Sequence, residues 1–302
     1  MEKKKILITG SNGLLGQKLV ELLVSKAHIE TIATAKGENR LPFSQGYRYV
    51  EMDITDPAAV DHVFATERPN VLIHTAAMTN VDQCETEKDA CWKLNVTATE
   101  TLVSACAKYD VFLEHVSTDF VFDGTSGPYR EGDTPNPISF YGWSKYAAEK
   151  VVISSDIEWA IARTVLVYGI AHDMSRSNII LWVKKSLEEG RAIKVVTDQF
   201  RTPTLAEDLA TGCFLIADQE AKGIYHISGK DFLTPYEMAL ATADYFGLDA
   251  SLISPTDASA FTQPARRPPR TGFNLTKSRK VLDYEPHSFR EGIELLAGQI
   301  GG

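Results

Sequence analysis

The first half of the chain alternates short apolar runs with longer amphipathic ones, and this alternation limits the folds open to it. The apolar runs predict strands at 5–9, 29–35, 47–52, 70–76, 111–117 and 159–167. The segments between them predict helices over 14–26, 57–66, 86–108 and 141–154. Near-continuous Val, Ile and Leu in strands that alternate with helices are typical of a parallel sheet covered on both faces. Right-handed crossovers then give a doubly wound α/β fold, whose ligand crevice lies at the carboxyl ends of the strands.

The pattern becomes irregular after about residue 168. Helices are predicted at 176–189, 205–218, 235–246 and 288–298, with short strands at 193–196 and 223–228. The prolines within 263–270 exclude a regular helix or a central strand there, because proline breaks both. We therefore predict a larger sheet domain over residues 1–168 and a smaller α+β domain over 169–302. The smaller domain would lie over the crevice, and segments from 193–228 would complete part of the sheet.

Composition excludes several classes of partner and compartment. The 302 residues carry a formal net charge of −9, which argues against a nucleic-acid or anionic-membrane surface because phosphate binding requires a basic face. No apolar signal core follows the lysines at the start, and no apolar run reaches the roughly 18 residues of a membrane span. We expect a cytoplasmic protein with reduced thiols, no metal site and no disulfide, since no C-x-x-C pair occurs among Cys84, Cys91, Cys106 and Cys213.

A glycine-rich turn, TGSNGLLG at 9–16, joins the first predicted strand to the first helix. Glycines at such a turn permit a tight bend, close approach of the backbone to a pyrophosphate, and tight packing of helix on strand. The helix terminus then offers N–H groups to the anion. The G-x-x-G-x-x-G spacing differs from the common G-x-G-x-x-G pattern, and an ordinary glycine turn is the alternative. The larger domain is thus predicted to bind a dinucleotide through Gly10, Asn12, Gly13, Leu14 and Gly16.

The end of the second strand bears on which dinucleotide binds. A carboxylate there would hold the ribose 2′-hydroxyl of NAD, whereas a cation accommodates the 2′-phosphate of NADP. The chain has no acid at the strand end, and Lys36 and Arg40 follow it. We therefore predict that NADP(H) is preferred, with NAD(H) held through Glu38 as the alternative. Asp53 is a predicted adenine contact, and the expected cofactor site also includes Ile54, Ala76 and Ala77.

A tyrosine and a lysine four residues apart, Tyr141 and Lys145, predict a catalytic pair on one face of a helix. An ammonium near a phenol favours the phenolate and lowers the pKa of the phenol from about 10. Such a tyrosine suits proton transfer in a carbonyl–alcohol interconversion. The fifth strand ends in Ser117, Thr118 and Asp119, where a hydroxyl would lie in the crevice and bond the substrate oxygen. We favour Thr118 for this role, and capping of the strand end is the alternative.

Together these motifs resemble the extended short-chain dehydrogenase/reductase superfamily. Within it, the dTDP-4-dehydrorhamnose reductases are most similar, in the stretches AAMTNVDQCETE, STDFVFDGTSGPY, NPISFYGWSK, TDQFRTPT and ISGKDFLTPYEMA. The resemblance implies reduction by NADPH or NADH of the 4-keto group of a nucleotide-linked deoxysugar in dTDP-rhamnose biosynthesis. It also implies that Tyr141 donates the proton, Lys145 holds the nicotinamide ribose and tunes Tyr141, Thr118 positions the oxygen, and Asn95 supports the proton relay.

The sugar pocket is less well defined by the resemblance. The segment IAHDMSRSN at 170–178 departs from those reductases, which leaves the specific sugar open. The candidate substrate-binding residues are Thr118, Asp119, Arg176, Asn178, Arg266 and Arg267. Guanidinium groups at Arg266 and Arg267 suit a diphosphate, although a solvated basic turn is an equal alternative. Asp119 is either a second acid or a turn cap, and His74 and His115 are interpreted as core histidines.

Two other functions stay open. One is another sugar-nucleotide enzyme of the superfamily, an epimerase or a 4,6-dehydratase. The dehydratases follow Thr-Asp with a glutamate where this chain has Phe120, and the epimerases retain NAD. The other is a binding role, because the regulatory subunit of methionine adenosyltransferase resembles the same reductases. The expected partner is a small nucleotide-sugar, with no nucleic acid and no membrane, and a homodimer is allowed for.

Overall fold

The computed structural model describes residues 3–173 and 178–300 as alternating strands and helices. The strands are β1 (Lys4–Thr9), β2 (Ile29–Ala35), β3 (Tyr47–Glu51), β4 (Val71–His74), β5 (Phe112–Thr118), β6 (Trp159–Thr164), β7 (Val167–Tyr168), β8 (Ile193–Val196), β9 (Thr204–Leu205), β10 (Gly223–His226) and β11 (Ile253–Thr256). The helices are α1 (Leu14–Val24), α2 (Pro57–Glu67), α3 (Val81–Thr86), α4 (Lys88–Trp92), α5 (Ala98–Tyr109), α6 (Phe140–Ile153), α7 (Ile179–Glu188), α8 (Ala206–Gln219), α9 (Pro235–Phe246), α10 (Thr276–Leu282) and α11 (Phe289–Ile300).

Seven parallel strands form one central sheet in the order β10-β6-β5-β4-β1-β2-β3. Successive side chains of a strand point to opposite faces, and both faces of this sheet are apolar. In β1, Ile6 and Ile8 pack into the core on one face and Leu7 into the core on the other. The predicted doubly wound, Rossmann-like fold is therefore confirmed.

Helices cover both faces of the sheet. Leu19 of α1 and Leu209 of α8 are buried in the core on one face. Phe64 of α2, Leu102 of α5 and Val152 of α6 are buried in the core on the other. Within the described part of the chain, no helix is both long and apolar enough to cross a membrane.

The second half of the chain contributes to two bodies of structure. β10 joins the central sheet beside β6, and α8 packs on α1. The remaining elements form a smaller layer, in which β8 pairs with β11 and β7 with β9. The predicted strand at 193–196 thus lies in a separate two-stranded sheet, whereas the one at 223–228 joins the large sheet. The boundary at residue 168 between two domains stays a prediction.

Some predicted elements are divided in the structure. The predicted helix over 86–108 is wrong as one continuous helix, because Glu87 leaves the helical conformation and a π-helical turn over Lys93–Thr97 separates α4 from α5. The predicted strand over 159–167 is interrupted at Leu166, whose φ of 36° is left-handed. β11 and α10 were not predicted. Apolar spacing carries no signal for a π turn, a feature that is frequent at functional sites.

A buried acid lies in the middle of the sheet. Glu114 of β5 has no exposed surface, and its carboxyl oxygens accept no geometrically sound hydrogen bond from the described residues, with the Cys213 thiol as their polar neighbour. Burial raises the pKa of Glu114 well above its ordinary value. Glu114 is therefore neutral in the folded protein at pH values where it is ionised in the unfolded chain. Unfolding above a pH of about 4.3 consequently releases a proton.

We expect Glu114→Met to stabilise the protein increasingly as the pH rises. A folded pKa raised above the unfolded one gives stability that is present below the unfolded pKa and lost as pH rises through the folded pKa. The wild type should lose about 1.4 kcal/mol of unfolding free energy relative to the variant per pH unit between those two pKa values. Urea unfolding at pH 5 and pH 8 measures this difference. Glu114→Gln, which cannot ionise, should share the flat profile, and a difference that is independent of pH would contradict the assignment.

Candidate active site

The glycine turn brings backbone to backbone at the carboxyl end of β1. Gly10 has a φ of 70°, and a Cβ there would lie 2.8 Å from the Ala76 nitrogen, so only glycine fits without a shift. A Cβ at Gly16 would clash with the Gly10 carbonyl oxygen. Gly13 precedes α1 and supplies no side-chain cap, which leaves first-turn N–H groups for an anion. The turn therefore fits the predicted pyrophosphate cradle, with Ala76, Ala77 and Leu14 half-buried around it.

The loop after β2 is attached to this turn through Asn12. The Asn12 side chain donates to the Glu38 carbonyl (2.8 Å) and accepts from the Arg40 backbone N–H (2.9 Å). Arg40 is exposed, and Lys36 makes a 2.8 Å ion pair with Asp53. The hydrogen bond from Lys36 lowers the pKa of Asp53 to about 2. Both predicted cations thus lie beside the turn, and the Asp53 carboxylate, predicted as an adenine contact, binds Lys36. Ile54, the next residue, is buried.

The predicted catalytic groups meet at the carboxyl end of β5. Tyr141 is buried near the start of α6, which Ser139 caps by accepting from the Gly142 N–H (3.2 Å). The Thr118 hydroxyl lies beside the Tyr141 phenol and donates its one hydrogen to the Asp119 carboxylate at 3.1 Å. The structure therefore brings Thr118 and Tyr141 together, as the sequence predicts.

The predicted effect of the ammonium on the phenol is wrong in this structure. Burial raises the pKa of Tyr141 above its ordinary value, and the neighbouring Thr118 hydroxyl opposes this rise only in part. The Nζ of Lys145 donates to the Val116 carbonyl (2.8 Å) and to His115 Nε2 (3.1 Å). Among the described residues, no hydrogen bond joins Lys145 to the phenol of Tyr141. Burial lowers the pKa of Lys145 to about 8. Tyr141 is consequently a neutral phenol at neutral pH, the form that can donate a proton.

Asn95 ties the loop after β4 to α6. It lies in the π turn, and its side chain accepts from the Met78 N–H (2.8 Å) and donates to the Met78 carbonyl (3.1 Å). Its amide also donates to Ser144 Oγ at 2.9 Å. Ser144 adjoins Lys145 on α6. Asn95 therefore fixes the helix that carries the candidate catalytic pair, while its side-chain donors and acceptor are already bound.

Ser117, the alternative to Thr118, serves a different group. Its hydroxyl donates to Glu149 of α6 at 2.5 Å. Arg163 of β6 donates to the same carboxylate through Nε (2.9 Å) and Nη2 (2.7 Å), and both side chains are almost fully buried. One hydroxyl of the pair thus belongs to a buried ion pair, and the other faces Tyr141.

A buried arginine joins the site from the second half of the chain. Arg201 lies 3.8 Å from the Asp119 carboxylate and donates to the carbonyls of Phe200 and Pro268, each at 2.7 Å. Thr271 also donates to Asp119. Burial raises the pKa of Asp119, and the Arg201 charge opposes the rise. Sequence reasoning missed Arg201, although TDQFRTPT was among the resembling stretches, because nothing in the spacing relates it to a residue 82 positions earlier.

The other predicted substrate contacts are dispersed or already paired. Arg267 binds Asp82 through Nη2 (2.7 Å) and Nη1 (3.2 Å), and Arg266 is exposed. Asn178 caps α7 by accepting from the Leu181 N–H (3.0 Å) and donates to the Gly169 carbonyl (2.8 Å). Arg176 lies outside the described residues. Of the predicted diphosphate ligands that the structure describes, only Arg266 is exposed and makes no hydrogen bond or ion pair with another described residue.

Comparisons with known proteins give a consistent result. The family model for the RmlD substrate binding domain matches residues 4–300. The methionine adenosyltransferase 2 subunit beta of Xenopus tropicalis is 33% identical, over 96% of this chain and 86% of that protein. A Haloferax volcanii protein named "Probable low-salt glycan biosynthesis reductase" is 32% identical over 96% of both chains.

Two solved structures extend the comparison. A dTDP-4-dehydrorhamnose reductase of Clostridium acetobutylicum is 28% identical, with a TM-score of 0.86, over 99% of this chain and all of that one. A dTDP-4-dehydrorhamnose reductase of Bacillus anthracis in complex with NADP is also 28% identical, with a TM-score of 0.84, at the same coverage. The resemblance inferred from the motifs is confirmed.

Proposed function

The chain belongs to the RmlD substrate binding domain family, and from that membership we propose that it is an oxidoreductase that reduces the keto group of a nucleotide-linked deoxysugar. The dTDP-4-dehydrorhamnose reductases among its structural relatives support a 4-keto sugar on a nucleoside diphosphate. The observation that carries the proposal is the meeting of a neutral, buried Tyr141 with the Thr118 hydroxyl at the carboxyl end of β5.

The chain's own residues divide the work of binding. Gly10, Gly13 and Gly16 would hold the pyrophosphate of a nicotinamide dinucleotide, and Lys36 and Arg40 its adenosine end. When bound, the dinucleotide would supply the hydride. Lys145, fixed by β5, would hold the nicotinamide ribose.

Proton transfer follows from the arrangement at β5. Thr118 would donate a hydrogen bond to the substrate carbonyl oxygen, in place of the one that it gives to Asp119, and so orient that oxygen toward Tyr141. Tyr141 Oη gives its proton to that oxygen as the ketone becomes an alcohol. Burial disfavours the phenolate left behind, and the neighbouring Thr118 hydroxyl offsets this only in part. The phenolate would therefore regain a proton from solvent.

The direct test is dinucleotide oxidation followed at 340 nm with purified protein. The substrate is dTDP-4-keto-6-deoxy-L-mannose generated in situ, with UDP- and GDP-linked 4-keto-6-deoxysugars as alternatives. We expect turnover with one of them and a product in which C4 carries a hydroxyl group. Binding of NADPH without oxidation on any of these sugars would count against the reductase and leave a binding role.

The preference between NADP(H) and NAD(H) can be tested at the loop after β2. We expect Lys36→Ala/Arg40→Ala to raise the Kd for NADPH about tenfold and to leave the Kd for NADH within about twofold, because only NADPH carries the 2′-phosphate. Fluorescence titration with both dinucleotides measures this. An equal loss for both would show that these cations do not contact the 2′-phosphate and would favour NAD.

A second function is favoured by the curated relatives. Methionine adenosyltransferase 2 beta subunits are 31–33% identical to this chain over 96% of its length. The chain could therefore act as a partner subunit of a methionine adenosyltransferase, with the dinucleotide site used for binding. Size-exclusion chromatography of the chain mixed with a methionine adenosyltransferase catalytic subunit tests this. Co-elution that persists in Tyr141→Phe, together with no reductase turnover, would favour the subunit role.

A further inference from the structure

A second histidine in the sheet touches the candidate active site, although its sequence context suggests a core residue. His115 of β5 has no exposed surface and lies directly beside His74 of β4, with 5.2 Å between the ring centroids. His74 is satisfied within the core: its Nδ1 bonds the Thr9 hydroxyl (2.8 Å) and its Nε2 the Thr99 hydroxyl (3.4 Å). His115 instead meets the lysine of the catalytic pair.

The contact with Lys145 fixes the direction of its ammonium. An ammonium has three N–H donors. β5 takes two of them, through the Val116 carbonyl at 2.8 Å and His115 Nε2 at 3.1 Å. The third remains for a ribose hydroxyl or for the Tyr141 side of the crevice. Two acceptors on a rigid strand therefore determine where a long, flexible side chain points.

The same contact fixes the tautomer of His115. A nitrogen that accepts from an ammonium must present its lone pair, so the ring proton of neutral His115 lies on Nδ1. Nδ1 is buried and has no hydrogen-bond partner among the described residues. Burial, with the Lys145 charge and His74 adding to it, holds the pKa of His115 well below its ordinary value, so the ring stays neutral.

We propose that His115 is a positioning residue, which accepts a hydrogen bond from Lys145 through Nε2 and thereby holds the ammonium for the dinucleotide ribose and for Tyr141. The role rests on the proposed function as far as turnover is concerned, but the effect on dinucleotide binding does not. The acceptor also favours the charged form of Lys145. Glu149 and Cys91 act in the same direction, while burial opposes it. The neighbouring His74 stays neutral, because burial and the Lys145 charge lower its pKa to about 3.

Three substitutions separate hydrogen bonding from packing. His115→Gln places an amide oxygen near the position of Nε2, whereas the shorter side chain of His115→Asn does not reach it, and His115→Leu has no acceptor. We expect His115→Leu and His115→Asn to raise the Kd for NADPH about tenfold. The Kd of His115→Gln should stay within about threefold of the wild-type value. The matched control is His226→Leu, since His226 is equally buried and stacks on Phe273 away from Lys145. It should bind NADPH as the wild type does.

The pH dependence gives a readout that a structural role would not change. Loss of the acceptor disfavours the ammonium, so the pKa of Lys145, lowered to about 8 in the wild type, should fall further in the Leu and Asn variants. The basic limb of the pH profile of NADPH affinity should move to lower pH in those two variants and should not move in His115→Gln. Nitrogen-15 NMR of the wild type should show His115 protonated at Nδ1.

The outcomes separate cleanly. The proposal would be overturned if His115→Gln, His115→Asn and His115→Leu all weakened NADPH binding equally, without a shift of the basic limb. Wild-type affinity in all three variants, or a proton on Nε2 of His115, would overturn it as well. If His115→Leu fails to fold, the comparison of His115→Asn with His115→Gln decides whether the acceptor matters. If the wild type reduces no keto-sugar, the proposed function fails, while the binding and NMR measurements still decide the role of His115.

Discussion

Replacing Tyr141 by phenylalanine is expected to lower kcat for keto-sugar reduction by about a thousandfold, with the Kd for NADPH unchanged within about threefold. A positioned general acid contributes roughly 10²- to 10⁴-fold to such a step, and phenylalanine removes the proton while keeping the ring. The ring packs edge-on against Phe120 with centroids 5.7 Å apart, and this contact survives the change. Steady-state rates at 340 nm and a fluorescence titration give the two numbers.

The control lies on the same helix. Tyr146 is half-buried on α6, and its ring faces Trp143 and Lys150 rather than the crevice. Tyr146→Phe should therefore retain the wild-type rate. If Tyr141→Phe kept more than about a tenth of the rate, another group would have to supply the proton, and Thr118 would be the next to replace.

The second large effect is on stability. Arg163→Met should lower the free energy of unfolding by about 3–5 kcal/mol, because it leaves the Glu149 carboxylate buried without its cation. Glu149 has no exposed surface, and among the described residues the Ser117 hydroxyl would be its remaining hydrogen-bond donor. Urea unfolding at pH 7 measures the loss.

Removing both charges should be far less harmful. The double variant Arg163→Met/Glu149→Met replaces the pair with apolar side chains of similar volume, and such replacements of buried ion pairs are often neutral or stabilising. We expect the double variant to be more stable than Arg163→Met alone. If the losses of unfolding free energy in Arg163→Met and Glu149→Met simply added up to the loss in the double variant, the two groups would not interact, contrary to the distances between them.

The fold could be predicted because its signals are local. The alternation of apolar strands and amphipathic helices gave the doubly wound sheet, and the glycines at 10, 13 and 16 gave the turn, since each rests on residues close together in the chain. The placement of Tyr141 and Lys145 on one helix could be predicted for the same reason, because residues i and i+4 share a helix face.

The parts that were missed depend on tertiary contacts. The direction of the Lys145 ammonium depends on His115 in a strand 30 residues earlier, and this changed the expected effect on Tyr141. Arg267 is a candidate phosphate ligand from the sequence, with a solvated basic turn as the equal alternative, and folding brings it onto Asp82, 185 residues away. Arg201 reaches Asp119 in the same way. No local pattern encodes such pairings, and without them neither pKa directions nor free ligands can be assigned.

The strand β10 and the helix α8 come from the second half of the chain, yet β10 extends the large sheet beyond β6 and α8 covers one of its faces. A gene fragment ending after residue 168 would encode six strands of the central sheet, with β6 unpaired along one side and an apolar surface exposed where α8 packs, both of which favour aggregation. The half proposed to bind the dinucleotide is therefore not one contiguous segment of the chain. A chimera that exchanges the proposed sugar-binding part for that of a relative must be cut at two places and must retain 206–226 with the amino-terminal half.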